Sequence, residues 1–367
     1  MIWLDITDPK YVLFFKNLIP LLKTLDKILI TTRKGAGYEE CARLLELFGI
    51  ESIALGGYGG AGRLEKLQAR LQRQEAFLEL FTKVGLPKLF ITGVSVEGTH
   101  TAYGLGIPNI QFSDTPLIHH QLENLPQNLS IIAKLTLPLS SLIFHPFLVP
   151  QACFKALGVE EENIISYDFI DVALWLKDLR AGEDFRARYN LDKSKPTILV
   201  REEEYKAHYV KQKLPIIYES IPLLAQCECN IVIMPRYESD YLKEAFGGLG
   251  NVKILEDKLA PQDFYPFIDI LIGGGGTMNL ESCYLGIPTI STRSLFLFHD
   301  RYLIDNGLMQ HCKEAKEVLS LVQKWLKSRE GRVGQRRDNR AFFEKSPANF
   351  DGILRVIKQR FYPQASL

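Results

Sequence analysis

Residues 267–291, FIDILIGGGGTMNLESCYLGIPTIS, constrain the fold of this chain more than any other stretch. The apolar run 267–272 predicts a buried parallel strand, and four glycines, Gly273, Gly274, Gly275 and Gly276, follow at once. Thr277 is expected to cap a helix that reaches about Leu285, with Gly286 ending it and 287–291 forming the next strand. Strand, glycine turn and helix start in that order make an anion site. Glycine lets the backbone approach a ligand, and the helix start offers free N–H groups and a positive dipole end. Glu281, one turn into the helix, is placed to accept hydrogen bonds from ribose hydroxyls. The plainer alternative is a packing turn with a glutamate answering the helix dipole, and packing alone does not call for four glycines.

The same alternation of short apolar strands and helices runs through the chain. Strands are predicted at 2–6, 27–31, 50–55, 89–92, 107–112, 141–145 and 164–167, then at 197–201, 230–235 and 252–255. A first helix follows the loop 7–10, with Phe14, Leu18, Leu21, Leu22 and Leu25 at helical spacing. A long amphipathic helix follows the glycine loop 56–62, with Leu64, Leu67, Leu71, Leu78 and Phe81 on one face. Residues 168–195 read as charged and helical, and 350–361 as a closing helix. With 367 residues the chain is too long for one ordinary core. The expected division is 1–180, 190–345 and a closing segment 346–367. GTHTAYGLGIPNI at 98–110 echoes GTMNLESCYLGIPTI at 276–290, about half a chain away, which predicts two similar halves. The fold class expected is α/β, two Rossmann-like domains with parallel sheets facing one another across a cleft. Both glycine turns should look into it, since ligands sit outside the carboxyl ends of such strands.

Several function classes are excluded or disfavoured. A net charge of +1 gives no global attraction to nucleic acid, and the basic run 332–340 reads as a solvated connector. The glycine loop 56–62 has no Lys-Ser or Lys-Thr after it, so it is not a nucleotide P-loop. Residues 1–6 carry Asp5 within a buried-strand pattern and do not read as a signal peptide. The longest apolar region, 131–150, is broken by Lys134, Pro138, Pro146 and Pro150; it reads as core helix and strand, with peripheral membrane contact as the alternative. Six scattered cysteines without zinc spacing read as free thiols in a cytoplasmic protein.

The segments WLDITDPKYVLFFKN, GLGIPNIQFSDT, the Pro235-Arg236 pair and IGGGGTMNLESCYLGIPTIS resemble the family of domain of unknown function 354, over nearly the whole chain. That family is similar to the GT-B superfamily, which contains glycosyltransferases and UDP-N-acetylglucosamine 2-epimerases. In GT-B proteins of the epimerase type, a Ser-Gly-Gly turn holds the UDP diphosphate and a following glutamate holds the ribose. Aligned on Leu-Gly-x-Pro, the resemblance puts that turn on Gly275, Gly276 and Thr277 and the glutamate on Glu281. The chain departs from its family at Leu280, where arginine is usual, and at Tyr11, where histidine is usual. The epimerase aspartate would fall near Val94, and its next acidic residue near Ser113 or Asp114. The histidine that opens its second domain has no counterpart beside Arg201, where Glu202, Glu203 and Glu204 stand. Epimerisation needs acid and base groups around the sugar, so these gaps weigh against it.

Glycosyl transfer asks less of side chains. No Asp-x-Asp pair is present to hold a metal, and adjacent His119 and His120 lack ligand spacing, so neither metal nor cofactor is expected. The leaving diphosphate would then be held by Gly274, Gly275, Gly276 and Thr277, with Arg236 as the preferred arginine and Arg201 and Arg293 as second choices. Asp114 is the preferred base, followed by Asp8, with the histidines, His100 included, as substitutes; an aspartate in such a loop more commonly caps a helix. The expected partners are a nucleotide-sugar donor and a lipid-linked or glycan acceptor. The alternatives are a 2-epimerase or nucleotide-sugar hydrolase, and a binding protein without catalysis.

Overall fold

The computed structural model describes residues 1–35, 39–57, 59–60, 62–203, 214–236, 239–257, 259–328 and 335–363. The chain divides by packing into two compact units, Met1–Leu174 with Ser346–Leu367, and Trp175–Lys345. Within the first, strands β1 (Ile2–Ile6), β2 (Ile28–Thr32), β3 (Ile53–Ala54), β4 (Leu89–Thr92), β5 (Asn109–Phe112), β6 (Leu142–Pro146) and β7 (Ile164–Tyr167) form one sheet in the order β3-β2-β1-β4-β5-β6-β7. The second holds β8 (Thr197–Arg201), β9 (Asn230–Met234), β10 (Val252–Ile254), β11 (Ile270–Gly273), β12 (Thr289–Ser291) and β13 (Gln310–His311), in the order β10-β9-β8-β11-β12-β13. Every pairing within them is parallel. Both are doubly wound sheets of Rossmann type. In each, the strand order reverses between the first and fourth strands, the place where such sheets bind ligands.

The central strands are buried on both faces because helices cover each side, which is why they read as continuous apolar runs. The echoing segments occupy equivalent places. Each is the crossover from the fourth strand of its sheet to the fifth: helix Val96–Gly104 between β4 and β5, and helix Gly276–Tyr284 between β11 and β12. Each helix gives way to a glycine at positive φ, Gly106 at 68° and Gly286 at 69°.

Three expectations are corrected. The first helix is broken into Pro9–Phe15 and Ile19–Leu22, because Pro20 brings no N–H and starts a new turn. Residues 168–195 hold only two short helical turns, Ala173–Leu176 and Phe185–Arg188; the segment is tied down by buried Phe169, Ile170, Val172 and Leu174 rather than by helical periodicity. The long helix Arg63–Val84 buries Arg73, Phe77 and Phe81, whereas Leu64, Leu67, Leu71 and Leu78 are exposed. The aromatic pair takes the inward side because it packs edge-on against Trp3 of β1, with centroids at 4.7 and 4.9 Å. Arg73 then reaches Asp5 of β1 through two hydrogen bonds of 2.7 and 3.0 Å, with Glu97 also at 3.4 Å. A buried guanidinium must find such partners, and that requirement outweighs a leucine stripe.

The apolar region 131–150 becomes helix Ile131–Thr136, whose Ile131 and Ile132 are exposed, and the buried strand β6. Among the described residues no helix is long and apolar enough to cross a membrane. The closing helix Asp351–Phe361 belongs to the first unit: Phe350 packs on Phe14, and Arg360 hydrogen-bonds Asn163 at 2.6 Å.

Candidate functional site

The glycine run leaves β11 at the switch point of the second sheet. Gly275, not Thr277, is the residue before the first helical turn, with φ −117° and ψ 135°, and Thr277 lies inside the helix. Neighbours crowd three of the four glycines, but only at Gly274 is the neighbour backbone. A methyl group on Gly273 would collide with the Asn279 amide. On Gly274 it would lie 2.5 Å from the Glu203 backbone, and on Gly276 it would lie 2.8 Å from a guanidinium nitrogen of Arg293. Packing therefore accounts for Gly274 outright, while Gly273 and Gly276 face the ends of the Asn279 and Arg293 side chains. Gly275 is the exception: its nearest neighbour would be Arg201 Cγ at 3.9 Å, so the space above the helix start is open there.

Glu281 is buried, one turn along. Its two oxygens accept from Trp175 Nε1 at 2.8 Å and from the Tyr265 hydroxyl at 2.5 Å. Burial raises its pKa above the ordinary glutamate value, against the pull of those two donors and of the nearby Arg201 charge. Each carboxylate oxygen keeps acceptor capacity for a further donor. Tyr265 is itself fixed, since Arg336 donates to the carbonyls of Tyr265 and Ile268 at 2.7 Å each. Arg336 of the basic run thus fastens the segment before β11 rather than standing in solvent; residues 332–334 of the run lie outside the described set.

The three arginines occupy different places in the second sheet. Arg201 donates to the carbonyls of Met234 and Pro235, at 3.3 and 2.5 Å, stitching β8 to the end of β9. Arg236 follows β9, two strands from β11, and its backbone N–H is held by Glu202 at 2.9 Å. Arg293 follows β12, the neighbour of β11, and lies directly over Gly276. The acids after β8 are structural as well. Glu202 also accepts from Tyr218 at 2.6 Å, and Glu203 accepts from the N–H and hydroxyl of Ser294 at 2.6 and 2.7 Å. Glu204 lies outside the described residues.

In the first unit, Asp8 caps helix Pro9–Phe15 by accepting from the Lys10 N–H at 2.9 Å. The Lys10 ammonium lies 2.5 Å from both Asp114 and Asp171, and Tyr167 donates to Asp171 at 2.6 Å. Burial alone would lower the Lys10 pKa, but the two carboxylates carry it well above the usual lysine value. Asp8 and Asp114 are therefore gathered around one lysine. Tyr11, in the place of the family histidine, is buried and donates to the Phe112 carbonyl at 2.8 Å. His100 bridges Arg70 and the Leu135 carbonyl.

Over residues 1–345 the chain matches the family described as Protein of unknown function (DUF354). It is a member of that family. The uncharacterized protein MJ0665 of Methanocaldococcus jannaschii is 30% identical over 338 residues, covering 90% of this chain and 93% of that one. Among solved structures, the UDP-N-acetylglucosamine 2-epimerase of Rickettsia bellii superposes with a TM-score of 0.73 at 15% identity, covering 100% of this chain and 98% of its own. The Neisseria meningitidis enzyme of the same name, bound to UDP-GlcNAc, gives 0.71 at 13% identity, with 98% of both chains covered. A glycotransferase of kitacinnamycin gives 0.59 at 13% identity, with 98% of both covered. These likenesses establish a GT-B-like fold for this member of DUF354.

Within the DUF354 pattern, Leu280 is buried on the helix that carries Glu281, so its side chain serves the core here. Four participants escape sequence reasoning: Trp175, Tyr265, Lys10 and Asp171. Only Lys10 had a signal, being next to Asp8 and Pro9 in the first loop.

Proposed function

We propose that this DUF354 protein is a metal-independent glycosyltransferase that takes its sugar from a nucleoside diphosphate, with a UDP-sugar as the expected donor. The observation that carries this reading is the amino end of helix Gly276–Tyr284, which opens at the switch point of the second sheet with space above Gly275 and a buried Glu281 one turn away. The backbone N–H groups of Gly275, Gly276 and Thr277 hold the diphosphate, and Glu281 accepts from the ribose. Donors fixed in place stabilise the charge that develops on the leaving diphosphate without reorganising. Asp114 is the base, with Asp8 second. The Lys10 ammonium, 2.5 Å away, holds the Asp114 carboxylate in place. The acceptor is a glycan or a lipid-linked sugar, and no cofactor is required.

Two other readings have support. The names of the epimerase structures favour a UDP-N-acetylglucosamine 2-epimerase or a nucleotide-sugar hydrolase; against it, Glu202 and Glu203 after β8 are already engaged by Tyr218, Arg236 and Ser294. The engagement of Asp8 as a helix cap and of Asp114 in an ion pair favours binding without catalysis. Calorimetric titration with UDP, GDP, CDP, ADP and dTDP tests the shared premise. At least one binds, and Glu281→Ala weakens it; silence across the panel ends the proposal. Incubation with UDP-N-acetylglucosamine alone then separates transferase from epimerase or hydrolase, which alone turn it over without acceptor. Replacing Asp8 and Asp114 together abolishes transfer if either is the base.

A further inference from the structure

Arg293 is nine-tenths buried, its side chain retaining 10% of its exposure. The reason it can sit where it does is Gly276: a side chain there would meet the guanidinium at 2.8 Å. The glycine at the first position of the helix thus makes room for a cation, not only for a ligand. Asp300 fixes that cation through contacts of 3.1 and 3.3 Å on a single nitrogen. Asp300 is anchored in turn by the Leu297 N–H at 2.9 Å, and the Arg293 carbonyl meets His311 Nε2 at 3.3 Å. Glu203, the other acid facing Arg293, is held by Ser294. The guanidinium is therefore held through Nη1, the nitrogen that lies nearest Gly276, while its buried Nε makes no hydrogen bond among the described residues. A guanidinium has five donors in a planar fork, and a buried donor left without an acceptor is costly. An oxyanion arriving over Gly275 would meet that fork and the helix N–H groups together.

We propose that Arg293, positioned by Asp300 over the start of helix Gly276–Tyr284, is the side chain that binds the pyrophosphate of the ligand, in place of Arg236. This rests on the nucleotide-sugar reading above and adds to it the residue that confers diphosphate recognition. The ligand class is a diphosphate whose charge is met by guanidinium and backbone N–H donors.

The test measures affinity for the best nucleoside diphosphate of the panel and for inorganic pyrophosphate, on the full chain and its variants. Arg293→Ala should weaken both ligands by about tenfold to a hundredfold, the usual cost of a lost charge-assisted contact, and by more than Arg236→Ala does. Arg293→Lys keeps the charge beside Asp300 but loses the fork, so it should bind better than the alanine variant and several-fold worse than the parent. Circular dichroism and thermal midpoints without ligand check that each variant is folded. An alanine variant that folds and binds within threefold of the parent overturns the assignment. If the alanine variant does not fold, parent-like affinity in the lysine variant overturns it. If the parent itself binds neither pyrophosphate nor any nucleoside diphosphate, the functional reading falls, and the role of Arg293 with it.

Discussion

The indole N–H of Trp175 hydrogen-bonds Glu281 at 2.8 Å, joining the first residue of the second unit to the carboxylate expected to receive a ribose. The chain has three tryptophans, and the other two, Trp3 and Trp325, pack in hydrophobic clusters of their own. A ligand hydroxyl that reaches Glu281 must compete with or polarise this bond. Nucleoside diphosphate should therefore change the intrinsic fluorescence saturably. Trp175→Phe should remove the change while a calorimetric signal remains; an unaltered fluorescence response in that variant would contradict the contact.

Glu281 carries a raised pKa because burial penalises its charge. A carboxyl group whose folded pKa exceeds its unfolded one costs nothing below the unfolded value and penalises the fold as pH rises through the folded value. Glu281→Gln should then stabilise the ligand-free protein at pH 7–8, by about 1 kcal/mol, and the gain should shrink on acidification. Ligand affinity moves the other way: it falls in the glutamine variant, and in the parent it declines with acid at a pH above the ordinary glutamate range. Thermal melts and titrations across pH 4.5 to 8 check both signs.

Neighbouring glycines should respond differently to a methyl group. Gly274→Ala forces a contact with the Glu203 backbone and should cost about 1–3 kcal/mol in urea unfolding. Gly275→Ala meets open space at an ordinary φ, so its stability should stay within about 0.5 kcal/mol of the parent. Equal losses at the two positions would show that the space above Gly275 is not there.

Lys10 sits between two carboxylates, and its raised pKa makes its contribution full below the unfolded lysine value and lost as pH climbs through the folded one. Lys10→Met leaves Asp114 and Asp171 facing each other. It should destabilise the protein by about 3–5 kcal/mol at pH 8, with partial recovery on acidification as the repulsion between the two acids is relieved. A pH-independent loss would argue against repulsion between the two acids.

The strands could be read because residues such as Ile270, Leu271 and Ile272 are apolar on both faces, which a covered parallel sheet demands. The equivalence of the two halves showed in one repeated segment, since both copies serve the same crossover. Periodicity failed where a polar partner decided the outcome. Leu64, Leu67, Leu71 and Leu78 make a better stripe than Phe77 and Phe81, but only the latter face brings Arg73 to Asp5. The glycine turn between strand and helix was legible as such. The neighbours of the glycines were not, because Glu203 and Arg293 come to them from the loops after β8 and β12. Trp175 and Tyr265 were hidden for the same reason: their partner is set by tertiary packing, and neither lies in a motif.

The second unit is spliced into the first: Phe350 and Arg360 rejoin partners, Phe14 and Asn163, that were synthesised before Trp175–Lys345 began. On the ribosome the inserted half can therefore mature as one uninterrupted piece, whereas the half that starts first must wait for its final helix. Until then Phe14 lacks the Phe350 ring that packs edge-on against it.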